Sequence, residues 1–165
     1  PSNSSILGQI TLRRDETLSR IIQRVYGNFN SKYFKSFILA NPDIEDPDRV
    51  EIGQIVSLPD ILAEVSPAQR PVWWVKVGES DLLEDAYNIL RNYPDNFPPM
   101  RLIPYWTPEK GTQFSVVLKK LFRDEQTARN ELALMPEGLY SNSEVVSLWN
   151  LKSVYFADPY FGRQH

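Results

Sequence analysis

Two adjacent tryptophans, Trp73 and Trp74, and a run of carboxylates at Asp43, Glu45, Asp46 and Asp48 are the side chains of this chain best suited to chemistry. Successive strand residues face opposite ways, so one indole points inward and the other outward, where an exposed ring stacks well on a sugar. Trp73 shares a face with Val75 and Val77 and is expected in the core. Trp74 shares a face with Lys76 and is expected to face outward, open to a ligand or covered by the C-terminal extension or the N-terminal unit. The acidic run lacks EF-hand spacing and is broken by Pro47, which points to a solvated turn and no metal site. A glycosidase needs two carboxylates across a cleft; here acidic residues are abundant and none is singled out. The only histidine, His165, ends the chain, a poor place to hold a catalytic imidazole, and there are no cysteines. The expectation is a non-enzymatic protein with no catalytic residue, no cofactor and no metal.

The composition agrees. With 165 residues, 42% of them hydrophobic and 24% charged, the chain can build one moderate core or two small ones. A net charge of −3 argues against a nucleic-acid partner, whereas an uncharged sugar polymer needs no basic surface. Thirteen prolines against seven glycines imply short elements and stiff turns. No apolar run is long enough to span a bilayer, so direct membrane insertion by this segment is not expected. The start at Pro1 fits a mature product or a fragment; the expectation is a fragment of a longer protein, with any membrane anchor lying outside it.

Patterning places these residues on elements. QITLR at 9–13 alternates as a strand, and Asp15 or Glu16 is positioned to cap a helix carrying Leu18, Ile21, Ile22 and Val25 on one face. A second helix carries Tyr33, Phe34, Phe37 and Ile38 and stops at Asn41-Pro42. Residues 55–58 form a closing strand. Residues 61–71, with two prolines, read as a linker between units at 8–60 and 72–157, with 158–165 as a tail.

In the second unit, 72–77 reads as a strand and Asp81 with Glu84 has capping-box spacing. Leu82, Leu83, Ala86, Ile89 and Leu90 make a helical face. Strands follow at 100–106 and 114–121, then a helix capped by Asp124 with Ala128, Leu132 and Met135 inward. A fourth strand is expected at 144–149, ending on Trp149, and 151–156 extends it or adds a fifth. VKVGESDLLEDAYNIL and VLKKLFRDEQTARNEL align without gaps, which suggests a duplicated strand-helix unit. The fold class is α+β: a βααβ unit followed by a βαββαβ antiparallel sheet with two helices on one face. That order also suits an RNA-recognition fold, but FSVVLKKLF lacks the base-stacking motif.

Three landmarks in the first unit carry a resemblance to the LysM family. RRDETL at 13–18 stands where the family has a Gly-Asp-Thr-Leu turn, ANPD at 40–43 resembles its Asn-Pro helix end, and RVEIGQIVSLP at 49–59 resembles its closing strand. Asp15 and Glu16 replace the family glycine and aspartate. The resemblance implies binding of N-acetylglucosamine-containing glycans in a shallow groove between two loops, here Asp15, Glu16, Thr17 and Leu18 on one side and Asn41, Pro42, Asp43, Ile44 and Val50 on the other. Leu18 or Ile44 would supply its apolar wall.

The second unit resembles a SPOR or ferredoxin-like domain through Val75-Lys76-Val77-Gly78, FRDEQTA at 122–128 and Leu134-Met135-Pro136. That resemblance implies glycan binding over the open sheet face, at Trp74 and Lys76. The expected partners are peptidoglycan glycan strands and other envelope proteins, in the periplasm or cell envelope. The alternative is a protein–protein scaffold of a secretion, pilus or phage-tail assembly that keeps these folds without binding sugar.

Overall fold

The computed structural model describes residues 6–64, 71–93, 98–135, 143–147, 152–160 and 163–164. It is a mixed α+β structure with four helices and antiparallel sheets among the described residues.

The first unit runs β1 (Ile6–Thr11), α1 (Leu18–Tyr26), α2 (Ser31–Ala40) and β2 (Ile55–Pro59), with β1 and β2 paired antiparallel. The stripe expected for α1 is inside: Leu18, Ile21, Ile22 and Val25 are all buried. The cap is corrected. Thr17, and neither Asp15 nor Glu16, is the N-cap, its hydroxyl accepting from the Arg20 N–H at 3.2 Å. Asp15 cannot serve because its backbone is left-handed, φ 63°. Gly27, φ 84°, ends the helix. Asn30 caps α2 by accepting from the Tyr33 N–H, and Asn41 ends it, as the Asn-Pro pair predicts.

The second unit adds β3 (Trp74–Ser80), α3 (Leu83–Arg91), β4 (Met100–Thr107), β5 (Gly111–Leu118), β6 (Lys120–Leu121), α4 (Glu125–Ala133), β7 (Glu144–Val146), β8 (Val154–Tyr155) and β9 (Arg163–Gln164). The main sheet has the order β7-β3-β5-β4-β8 with every pairing antiparallel, while β6 and β9 form a small parallel pair. Helices α3 and α4 begin and end at matched positions of the two aligned segments. Asp124 caps α4 as expected, accepting from the Thr127 N–H at 2.8 Å. The Asp81–Glu84 box does not form: Leu82 occupies the N-cap without a side-chain bond, and Glu84 is drawn to β1. Trp149 and residues 65–70 of the expected linker lie outside the described residues.

One hydrophobic cluster runs through both units. It joins Ile10, Leu12, Ile21, Val25, Phe37 and Val56 to Val75, Ala86, Leu102, Phe114 and Ala128. β1 approaches α3 so closely that a side chain on Gly8 would meet Leu83 Cβ at 2.8 Å. A second cluster on the other sheet face gathers Val72, Trp74, Ile103, Tyr105, Val117 and Tyr155. Around the expected linker, Ile61 packs on the first cluster and the Ala63 N–H donates to the Tyr155 carbonyl at 2.9 Å.

Candidate functional site

The turn after β1 and the loop after α2 hold the residues expected to touch sugar. In the first, the Glu16 N–H donates to the Arg13 carbonyl and the Arg13 N–H to the Glu16 carboxylate at 2.9 Å, closing a tight turn around Asp15. That closure requires a positive φ, which glycine takes without strain and aspartate tolerates better than most. Asp15 and Thr17 are exposed.

In the second loop, Asn41 is 3% exposed and its side chain is fully used. Its amide donates to the carbonyls of Phe37 and Ser57, each at 2.8 Å, and its oxygen accepts from the Ser57 N–H at 2.7 Å. It fastens the end of α2 to β2, so its amide is not open to a ligand. Pro42 and Asp43 are exposed, and Val50 is half-buried against the core. Leu18 and Ile44, expected as an apolar wall, belong to the core at 4% and 9% exposure. Of the residues expected to touch sugar, Asp15, Thr17, Pro42 and Asp43 are the exposed ones.

Glu16 is committed to α3. Arg91, its side chain 6% exposed, uses all five N–H donors: two on Glu16 at 2.7 and 2.8 Å, one on Glu84 and one on Asn88, each at 2.9 Å, and one on the Thr11 carbonyl at 2.7 Å. Glu84 returns to accept from the Thr11 N–H at 3.1 Å. The free edge of β1 is thus closed by side chains of α3, which satisfies backbone groups that a strand would otherwise hold. Burial works to raise Glu16, but the bonds from Arg91 and the Arg13 backbone outweigh it and hold the carboxyl below its ordinary value. Burial works to lower Arg91, and Glu16 and Glu84 raise it above the usual range.

The sheet-face expectation is corrected. Trp74 does share its face with Lys76, but it is 1% exposed and its ring meets Tyr160 at 6.1 Å between centroids. The C-terminal residues fold across the sheet and cover it. Lys76 is largely covered too, bonded to Glu79 at 2.7 Å and near Glu144 at 3.5 Å. Burial works to raise Glu79, and hydrogen bonds from Lys76 and Tyr105 bring it below its ordinary value. Trp73 is half-buried against the helix-side core, bridged to Phe122.

The carboxylates of the acidic loop, Asp43, Glu45, Asp46 and Asp48, are exposed, and Asp46 accepts from the Asp48 N–H at 2.9 Å, a solvated turn. Among the described residues, no group of three histidine, cysteine, aspartate or glutamate side chains could hold a metal, and no helix is long and apolar enough to cross a membrane.

Sequence reasoning missed Arg91 and Tyr87. Tyr87 is buried between two guanidiniums, Arg91 at 4.8 Å and Arg24 at 5.8 Å from its ring centroid. Arg91 stands one residue beyond the apolar helical face that ends at Leu90, and no local pattern signals a partner so far along the chain.

No family model, curated protein or solved structure matches this chain.

Proposed function

We propose that this chain is a non-catalytic glycan-binding module of the bacterial cell envelope, with a LysM-like unit at 8–60 and a SPOR-like unit at 72–157. It binds peptidoglycan strands through the loop pair of the first unit and so positions a longer, membrane-anchored protein. The observation that carries this reading is Asp15. It holds φ 63° at the turn position where the resembled family has glycine, so the sequence register and the backbone requirement coincide there. Backbone groups at helix ends suit an acetamido group, and the exposure of Asp15, Thr17, Pro42 and Asp43 supports their being the residues that meet it. Trp74 and Lys76 play no part, being covered by the chain itself.

A second reading is a protein-interaction scaffold of a secretion, pilus or phage-tail assembly. Two observations favour it: the covered sheet face and the commitment of Glu16 to Arg91. Sedimentation with purified sacculi separates the two. Glycan binding predicts that the chain pellets, that soluble N-acetylglucosamine oligomers release it, and that no muropeptides appear. No sedimentation with intact or amidase-treated sacculi favours the scaffold.

A further inference from the structure

The junction of the two units carries a concentration of positive charge that glycan recognition does not use. A groove of about 340 Å³ between the β1–α1 turn, α1 and α3 is lined by five arginines, Arg13, Arg14, Arg20, Arg24 and Arg91, against two carboxylates, Asp15 and Glu16, the latter already paired with Arg91. It shares Arg20 and Arg24 with an adjoining groove of about 290 Å³ that runs past Leu90 and Met100 to Lys119. Seven of the 18 lysines and arginines of a chain with net charge −3 therefore line the two adjoining grooves, the fully buried Arg101 among them.

This clustering opposes stability. Arg20 lies in the first turn of α1, where the helix dipole disfavours a cation, and that turn contains no acidic residue. Among the described residues, no carboxylate forms an ion pair with Arg14, Arg20 or Arg24. Arg14 and Arg20 are exposed, and Arg24 is placed by its contact with the Tyr87 ring. In the same groove Arg91 already grips two carboxylates, Glu16 with a paired fork and Glu84 with a single bond.

We propose that this groove docks a short acidic peptide segment of a partner protein, whose carboxylates pair with Arg14, Arg20 and Arg24 and whose apolar side chains rest on Leu90, Pro99 and Met100. The lining favours peptide over nucleic acid. Tyr93 is its one aromatic residue among those described, so bases have no stacking platform, and the net negative charge repels a long polyphosphate beyond the groove. Asp15 lines this groove as well as the turn proposed to touch sugar, so the two sites adjoin.

The test is fluorescence anisotropy with a labelled peptide alternating glutamate and leucine, its glutamine counterpart, inorganic polyphosphate and single-stranded DNA. The glutamate peptide binds, and binding weakens as salt is raised. The Arg14→Glu/Arg20→Glu variant, both positions exposed, weakens it about tenfold or more, while Arg129→Glu on α4 leaves it unchanged. Circular dichroism confirms that both variants fold. Absence of glutamate-peptide binding, equal binding of the glutamine peptide, equal loss in Arg129→Glu, or tighter binding of polyphosphate or DNA overturns the proposal.

Discussion

The guanidinium of Arg101 on β4 fills the place where a side chain on Gly27 would stand, with Nη2 2.5 Å from the ideal β-carbon position. The arginine is fully buried, and burial pulls it down to about 10, so it stays charged at neutral pH. Gly27 ends α1, where helix carbonyls favour a cation, so the contact joins the first unit to the sheet of the second.

Gly27→Ala therefore carries two penalties, a left-handed backbone and a collision with a buried charge. The expected loss is about 2–4 kcal/mol in a urea unfolding curve. A change within about 0.5 kcal/mol contradicts the contact.

Asp15 tests the turn from the other direction. Asp15→Gly relieves the left-handed strain at φ 63° but adds unfolded-state entropy, so stability stays level or rises by up to about 1 kcal/mol. Asp15→Val lowers it by about 1–2 kcal/mol, because β-branched residues resist that backbone. The pair is read by thermal unfolding.

The Arg91–Glu16 bond gives the chain an acid sensitivity with a definite sign. The folded carboxyl sits below its ordinary value of 4.5, so its stabilisation is complete above that pH and is lost as pH falls through the lowered value. Glu16→Gln costs about 1–2 kcal/mol at neutral pH and flattens the decline in stability below pH 4.5. Denaturant midpoints of the two proteins across that range show the difference.

Much of the fold was legible in local pattern. The α1 stripe, the Asn41-Pro42 helix end and the Asp124 cap follow from spacing over a few residues, and each appears as read. What was not legible depends on distant partners. Glu84 has the spacing of a cap but is held by Thr11 and Arg91 instead. The alternation that placed Trp74 on the Lys76 face was correct, yet only the path of the C-terminal residues decides whether that face is open. At the candidate site, Asn41 and Glu16 are polar residues in loops, the ordinary mark of a ligand contact, and both bond within the protein.

Trp74 separates structure from binding. Trp74→Ala removes a buried indole and destabilises by about 3–5 kcal/mol. Trp74→Phe keeps much of the packing with Tyr160, loses less, and leaves sugar binding intact. Loss of binding in a folded Trp74→Phe protein would return the sheet face to consideration.

The most direct measurement of glycan recognition is a titration of the isotope-labelled chain with N-acetylglucosamine oligomers, followed by amide chemical shifts. Sugar binding at the loop pair gives saturable shifts concentrated at Asp15, Thr17, Leu18, Asp43 and Ile44, with the amides of β3 unmoved. Saturation without shifts at these residues, or no shifts at all, contradicts it.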